Sequence, residues 1–396
     1  MTDHAQNIGN GSATVGASAE KPRLLYIDNL RIVLTALVIL HHLDITYGAP
    51  GQWYYNEMGK LSDVSAILMT LFLAINQSFF MGFFFMVSSY FIPGSLTRKG
   101  PGLYLKDRLV RLGIPLLFYI FVLSPILNFA LARSRGFSGN FLAFVPEFVR
   151  RLPGIDVGPL WFVETLLFFS LAYVGYQSLF KPSASSTNNE KHALSNLVIA
   201  VFGVGLGVAT FLVRIWLPVG WEFMLLHLQF PHFAQYIAMF IIGIVAYQRG
   251  WLAELTESQA RLWRWVVLGL IILFPIIFVL GGALEGNSDA FAGGLTWQSF
   301  AYSLWEQLMC VAMIVTLMVW FRTRFNSQGA IGKVMSSAAY ATYIFHAPVI
   351  VLLALALREI RLDLALKFAL VAPIAIGLSF VVGYLVKRLP YARDIL

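Results

Sequence analysis

The chain has 396 residues, of which 58% are hydrophobic and only 12% carry a charge. Soluble domains carry charges on about 25% of their residues, so this composition excludes an ordinary soluble multi-domain protein. The net charge of +8 would suit a nucleic-acid partner, but membrane proteins also retain Lys and Arg in their cytoplasmic loops. We therefore expect a membrane protein whose partner is the lipid bilayer and not a nucleic acid.

The ends and the cysteine content limit the organisation further. Residues 1–20 are rich in Gly, Ser, Ala and Asn, which predicts a disordered tail before one membrane domain over residues 21–396. The first apolar run contains Asp28 and Arg31 and lacks a cleavage pattern, so we expect it to remain as an anchor. Cys310 is the only cysteine, which excludes an intramolecular disulfide and a cysteine metal cluster.

Apolar runs of the length that crosses a bilayer, about 20 residues, recur along the chain. They predict an all-α, polytopic membrane helix bundle of about ten transmembrane helices. The predicted helices cover Leu24–Tyr47, Ser78–Ile92, Leu109 to just before Arg133, Leu160–Phe180, Leu194–Trp216, Phe230–Tyr247, Trp265–Gly281, Gln298–Phe321, Ala339–Leu357 and Leu366–Val386. The apolar stretch Val64–Gln77 is too short for a span and leaves three alternatives: a re-entrant segment, an interfacial helix or an extension of the second helix.

Loop charge predicts the orientation. With the N-terminus inside, the inner loops hold 17 Lys and Arg residues and the outer loops hold 8, which favours both termini in the cytoplasm. The basic cluster from Arg133 to Arg151 runs against this rule.

The first predicted helix, YIDNLRIVLTALVILHHLDITY, carries ionisable groups along one face. At about 100° per residue, the eleven steps from Arg31 to His42 make about three turns, which separates the two by about 16 Å along one face. Asp28 can pair with Arg31, whereas His41 points away from this face. Snorkelling to the interface would explain Arg31 alone. Aligned intramembrane charges usually face a cavity, so we expect His42 to be functional.

Further candidates lie in later segments. Arg108 and Arg111 are one turn apart and predict either a topology anchor or a phosphate clamp, to which Lys99 and Lys106 would add charge. Glu164 and Glu306 lie inside apolar runs and should face the protein interior, where each would orient a histidine or pair with an arginine.

The remaining histidines divide into two groups. His346, in the run YATYIFHAPVI, is either functional or a bond between helices. His227 and His232 fall in a predicted loop and helix start, where we expect them to be solvated. The sequence has no Walker loop, no Rossmann glycine pattern, no HExxH motif and no nucleophile elbow, so we expect neither a bound cofactor nor a metal.

From about Leu24 onward the chain resembles the acyltransferase-3 family of membrane acyltransferases. The resemblance rests on an ordered set of elements: Arg31 followed by ten residues and His42, the aromatic run FFFMVSSYFIPG, the RxxR pair Arg108 and Arg111, LWFVE, and Tyr343 to Pro348. Ser89 stands where the family more often has glycine. The RLVRLGIP run and the compact ten-helix build are closest to the glucan succinyltransferase type.

This resemblance implies transfer of an acyl group, acetyl or succinyl, from cytoplasmic acyl-CoA to a hydroxyl of an extracytoplasmic carbohydrate. His42 would then be the base, with Glu164 or Glu306 orienting it, while Arg31, Arg108, Arg111 and His346 would bind substrate. A location in the bacterial cytoplasmic membrane is expected. A proton-coupled transporter is the alternative, but the sequence lacks the inverted repeats common in transporters.

Overall fold

The computed structural model describes residues 23–59, 61–152, 154–180 and 194–396. In this part of the chain ten helices are long and apolar enough to cross a membrane, which confirms the predicted all-α membrane bundle. They are α1 (Leu25–Thr46), α2 (Asp63–Tyr90), α3 (Ile92–Ser134), α4 (Trp161–Phe180), α5 (Asn196–Arg214), α6 (Phe233–Arg249), α7 (Glu257–Leu280), α8 (Trp297–Arg324), α9 (Ala330–Leu357) and α10 (Leu364–Lys387). The predicted tail, residues 1–20, and the linker, residues 181–193, lie outside the described residues.

The second helix settles the status of the stretch Val64–Gln77. α2 begins at Asp63, where the side chain of Ser62 accepts a hydrogen bond from the backbone N–H of Ser65 and so caps the helix. The stretch is therefore an extension of the second helix, whose predicted start at Ser78 was fifteen residues too late.

The third helix also differs from its predicted bounds. α3 is helical from Ile92, far before the predicted start at Leu109, with one break at Gly100, whose φ is 73°. Hydropathy could not find this first part because the segment before Leu109 is polar and basic. A glycine suits the break, since positive φ is strained for other residues.

Two wide π-helical turns, Leu109–Gly113 and 119–123, interrupt α3. Pro115 has no N–H to donate to the carbonyl four residues earlier, that of Arg111. The hydroxyl of Tyr340 in α9 donates to that carbonyl at 2.7 Å instead. The sequence of α3 therefore creates an acceptor that a neighbouring helix fills, and this contact positions the Arg111 segment against α9.

α1 lies at the centre of the bundle, where it packs against α2, α8, α9 and α10. Small residues allow close crossings elsewhere. A Cβ on Gly243 of α6 would lie 2.2 Å from the Met86 carbonyl oxygen of α2, and a Cβ on Gly383 of α10 would lie 2.6 Å from the Thr342 nitrogen of α9. Close approach of this kind is typical of helix packing in membranes, where hydrophobicity does not drive association.

The alternation of the helices defines two faces of the bundle. We call the end at which α1 begins the near face and the end at which α1 ends the far face. The connection between α3 and α4 runs over the far face and contains a further helix, Phe141–Arg151. Phe144 of this helix stacks on Phe148 and packs against Phe129 of α3. The basic cluster that runs against the loop-charge rule therefore belongs partly to an amphipathic surface helix.

Candidate functional site

The two adjacent histidines of α1 occupy different environments, as the helical spacing predicts. The ring of His41 is buried and stacks on Phe80 of α2, with ring centroids 4.9 Å apart. His42 is only partly buried and faces α9, where Nε2 of His346 lies 3.0 Å from its Nδ1. His42 is thus the histidine of α1 that retains accessible surface beside a polar partner.

The hydrogen bonds of His346 define the protonation of both rings. Nδ1 of His346 lies 2.5 Å from the backbone carbonyl of Tyr343, and a carbonyl can only accept, so this Nδ1 carries the proton. The Nε2 atom of a neutral His346 is then a lone-pair acceptor, and Nδ1–H of His42 must donate to it. The Nε2 atom of His42 is left with its lone pair, which is the state that a general base requires.

A tryptophan from the connection between α1 and α2 covers the pair. The rings of Trp53 and His42 are stacked, with centroids 3.9 Å apart and planes 17° apart. Trp53 also lies 6.2 Å from the ring of His346. Its indole Nε1 is buried without a hydrogen-bond partner among the described residues.

The residue after Trp53 anchors this connection to the far-face loop between α3 and α4. The hydroxyl of Tyr54 donates to Asp156 Oδ1 at 2.9 Å and accepts from Tyr119 at 3.1 Å. Burial, together with Tyr119 and Asp156, raises the pKa of Tyr54 well above its usual range. The Tyr54 hydroxyl therefore remains protonated and keeps donating at any physiological pH.

Asp156 collects further donors, which makes it the centre of the anchor. Ser124 Oγ donates to Oδ2 at 2.5 Å and Asn128 Nδ2 donates to the same oxygen at 3.1 Å. The backbone N–H of Gly158 donates to Oδ1 at 3.1 Å. A carboxylate satisfied in this way fixes α3, the start of α4 and the Trp53 segment relative to one another.

The predicted polar residues at the start of α1 lie at the near face. Arg31 Nη1 lies 3.8 Å from Asp28 Oδ1, which confirms the predicted pairing, and Asp28 also binds Arg23 at 2.5 Å. The positive charges of Arg31, Arg23 and Arg111 all act on Lys387 at the end of α10. Three helices and the chain before α1 therefore bring cations together at this face.

The RxxR pair spans the junction between the first part of α3 and its first π-helical turn. The guanidinium of Arg108 lies 5.0 Å from the centre of the Tyr104 ring, and Arg111 is exposed. Lys99, which we expected to add free charge, forms an ion pair with Asp107 and is neutralised by it. Lys106 is exposed at the same face.

Glu306 lies in a second buried polar cluster. Its Oε2 atom lies 2.6 Å from Arg214 Nη2, and neither side chain is more than 1% exposed. His232 Nδ1 lies 3.2 Å from the same guanidinium nitrogen and 3.4 Å from Glu306 Oε1, so the ring contacts both members of the ion pair. Of the two alternatives for Glu306, the structure shows the arginine pair. Our expectation of a solvated His232 was wrong, because this ring closes a buried ion pair.

Glu164 lies near the start of α4 and is buried, as predicted, with Oε2 lacking a hydrogen-bond partner among the described residues. We expected a glutamate carboxylate to lie beside His42 and orient it. In this structure His346 lies in that position instead. The start of α4 approaches the pair through the backbone, since Tyr343 donates its hydroxyl hydrogen bond to the carbonyl of Pro159.

Sequence reasoning missed four residues of this region: Trp53, Tyr54, Asp156 and Arg214. The first three lie in loops or just outside an apolar run, where a polar or aromatic side chain carries no signal. Arg214 did carry one, because it ends an apolar helix of 19 residues and would cost free energy there if it were unpaired.

The fold and site define a polytopic membrane protein with a paired, oriented histidine in its central helix and a cluster of cations at one face. Residues 24–388 match the model of the family described as an acyltransferase domain, acyltransferase-3. The match covers most of the chain, and the protein therefore belongs to this family of acyltransferases.

Curated relatives include proteins called glucans biosynthesis protein C from Salmonella heidelberg and Salmonella typhi. Each is 23% identical to this chain over 348 residues, which cover 84% of this chain and 83% of the relative. The protein of the same name from Salmonella schwarzengrund is 22% identical over the same length. No solved structure matches this chain.

Proposed function

We propose that this membrane acyltransferase moves an acyl group from acyl-CoA to a hydroxyl of a carbohydrate, with His42 as the general base. The observation that carries the proposal is the hydrogen-bonded order Tyr343 carbonyl, His346, His42, which leaves the lone pair of His42 on Nε2. Family membership supports the reaction class. The name of the relatives supports a glucan or related carbohydrate as acceptor.

The chemistry follows from that lone pair. A hydroxyl is a weak nucleophile at neutral pH until a positioned base takes its proton in the transition state. His42 Nε2 would accept the proton as the hydroxyl oxygen forms a bond to the thioester carbonyl carbon. The carbon–sulfur bond then breaks, and the imidazolium of His42 returns the proton to the thiolate of CoA.

His346 acts as a positioning residue in this reaction. It accepts the Nδ1–H of His42 and so holds the ring in one tautomer and one orientation, the part that a carboxylate plays in a catalytic triad. A neutral imidazole stabilises the charged intermediate less than a carboxylate would. It also requires no buried negative charge in the membrane.

The near-face cations would bind the donor. Arg31, Arg108, Arg111 and Lys387 present positive charge at the end of α1 that loop charge predicts to be cytoplasmic. Guanidinium groups match phosphate oxygens, and acyl-CoA carries its phosphates at the end of the molecule opposite its thioester. The helical rise of about 16 Å between Arg31 and His42 is the distance that the extended donor would bridge.

The proposal is tested with the purified full-length protein in lipid nanodiscs. The protein is supplied with acetyl-CoA or succinyl-CoA and a glucose oligosaccharide, while released thiol and oligosaccharide mass are followed together. We expect thiol release matched by a mass increase of one acyl group per ester. Thiol release without an acylated carbohydrate, for both donors, would contradict a carbohydrate acceptor. Comparison of the surface glycans of cells with and without the gene identifies the natural acyl group.

A further inference from the structure

The far face contains a cavity of about 670 Å³ that the acyl-transfer chemistry at His42 does not use directly. Its walls come from the connection between α1 and α2, the end of α3 and the connection between α9 and α10. The polar and charged residues that line it are Tyr55, Asn56, Glu57, Arg135, Arg358, Glu359 and Arg361.

Three arginines make this cavity unusual for its place in the molecule. Arg135 belongs to the basic cluster that runs against the loop-charge rule, and Arg358 and Arg361 add two more cations at the same face. Lys and Arg are concentrated in cytoplasmic loops unless something else selects them. The loop-charge rule therefore does not account for these three arginines, whereas an anionic ligand in the cavity would.

The arginines retain capacity to bind an anion. Arg358 Nη1 donates to the carbonyl of Ser134 at 3.2 Å, and its Nε lies 3.1 Å from Glu359, which holds the side chain in place at the cavity wall. Arg135 and Arg361 are exposed at the cavity. A guanidinium has five N–H donors, so these contacts leave donors available for a phosphate or carboxylate.

Glu57 supplies a hydrogen-bond acceptor for ligand hydroxyls. Its Oε1 atom binds Lys367 at 2.5 Å, and that ammonium also donates to two backbone carbonyls, of Leu357 and Ile360. Its Oε2 atom is buried and has no hydrogen-bond partner among the described residues. A buried oxygen of this kind is a ready acceptor for a ligand hydroxyl. The ring of Tyr55 and the amide of Asn56 line the same cavity.

We propose that this far-face cavity binds a carbohydrate acceptor that carries an anionic group, with the arginines holding the anion and Glu57 accepting from a ring hydroxyl. The inference rests on the proposed function, because it treats the carbohydrate as the acceptor. Trp53, which stacks on His42, lies only two residues before Tyr55 of the cavity wall. One short segment therefore connects the cavity to the base.

A lipid phosphate offers the same anion chemistry as a phosphorylated glycan. Two observations favour the glycan. The cavity is built from loops beyond the ends of α1, α9 and α10, and it combines the arginines with a hydroxyl acceptor and an aromatic ring.

Binding to the full-length protein in nanodiscs of zwitterionic lipid tests the assignment. The probes are a neutral glucose oligosaccharide, the same oligosaccharide with one phosphate monoester, and inorganic phosphate. We expect the phosphorylated oligosaccharide to bind at least about tenfold more tightly than the neutral one, since a charge-assisted hydrogen bond contributes that much. The difference should shrink as salt is raised.

Variants locate the site. Arg135→Gln with Arg361→Gln should abolish the preference for the phosphorylated probe. Arg150→Gln, which removes an exposed charge at the same face but outside the cavity, should retain it. Equal binding of both oligosaccharides, or a preference unchanged in the double variant, would overturn the proposal. So would an anionic lipid that co-purifies with the parent protein, is lost from the double variant and replaces glycan binding.

The cavity assignment and the proposed acyl transfer can be tested independently. The variant His42→Ala should bind the phosphorylated oligosaccharide as the parent does, because His42 is not a cavity residue. If acyl transfer to subsaturating phosphorylated oligosaccharide proceeds equally well in the parent and the double variant, the cavity assignment fails while acyl transfer stands. If the protein prefers the phosphorylated oligosaccharide but transfers no acyl group, the cavity assignment stands while the proposed acyl transfer fails.

Discussion

At the scale of single residues, base catalysis by His42 depends on which of its two ring nitrogens carries the lone pair. The helical spacing of α1 predicted that His42 and His41 would face different surroundings, and the structure places His42 beside His346 and His41 against Phe80. The partner could not be predicted from sequence, because His346 is 304 residues away and its orientation depends on the Tyr343 carbonyl.

Because His346 positions the ring of His42, substitutions of His346 should lower kcat to different extents. His346→Leu removes the acceptor for His42 Nδ1–H, and we expect kcat for acyl transfer to fall about 100-fold with little change in either KM, as is typical of loss of acid–base catalysis. His346→Gln keeps a carbonyl oxygen that can accept, so it should retain more of kcat than the leucine variant does. Steady-state kinetics in nanodiscs measures both.

The matched control is His227→Gln, a histidine of a far-face loop that pairs with Glu222 away from the His42 pair. It should behave as the parent protein does. Equal kcat for the glutamine and leucine variants of His346 would show that hydrogen-bond acceptance is not its contribution.

The near-face arginines predict a change in donor binding and not in chemistry. Arg108→Gln with Arg111→Gln removes two guanidiniums that would hold phosphate, so KM for acyl-CoA should rise at least about tenfold while kcat is nearly unchanged. Arg98→Gln is the control, since Arg98 is an exposed cation near the same face. A normal donor KM in the double variant would leave the pair as topology anchors only.

At the scale of elements, the contact between α3 and α9 is the one that the sequence explains most directly once the structure is known. Pro115 frees the Arg111 carbonyl, and the Tyr340 hydroxyl binds it at 2.7 Å. Tyr340→Phe should lower the free energy of unfolding by about 0.5–1.5 kcal/mol, the typical net contribution of one hydrogen bond. Thermal unfolding in detergent measures the change.

Tyr391→Phe serves as the control because Tyr391 is 84% exposed. The same midpoint for both variants and the parent would mean that water or another group satisfies the carbonyl. If the Tyr340 bond also positions Arg111, Tyr340→Phe raises the donor KM as well.

Hydropathy located the helices much better than it located their ends. All ten apolar runs became helices, because hydropathy reports the requirement that every backbone group be bonded inside the membrane. The predicted start of α2 was wrong because the apolar stretch Val64–Gln77, too short for a span of its own, continues directly into the second apolar run. The predicted start of α3 was wrong because the helix extends into the polar and basic residues before Leu109, which hydropathy does not detect. Residues of the site that lie in connections, above all Trp53 and Asp156, depend on tertiary contacts that no local pattern encodes.

At the scale of the whole molecule, the buried Glu306–Arg214 pair joins α8 to α5. Removal of one partner leaves an uncompensated charge buried inside the protein, which typically costs about 3–5 kcal/mol. We therefore predict that Glu306→Leu unfolds or aggregates on size-exclusion chromatography in mild detergent. The double variant Glu306→Leu with Arg214→Met should recover the parent elution profile, because replacement of both charges by apolar groups is often neutral.

Recovery of folding in the double variant, together with retained acyl transfer, would identify the pair as structural. A double variant that folds but transfers no acyl group would instead give the cluster a part in the reaction. Persistence of the fold in the single Glu306→Leu variant would contradict the predicted cost of the unpaired arginine.

The central claim is that His42, and not the adjacent His41, is the base of acyl transfer. The direct measurement is single-turnover acyl transfer by His42→Ala and His41→Ala in nanodiscs, with folding checked by size-exclusion chromatography and donor affinity measured for each. We predict that His42→Ala loses transfer by about 100-fold or more while it folds and binds acyl-CoA normally. His41→Ala should retain transfer in the fraction that folds. Transfer at the parent rate by folded His42→Ala would contradict the account.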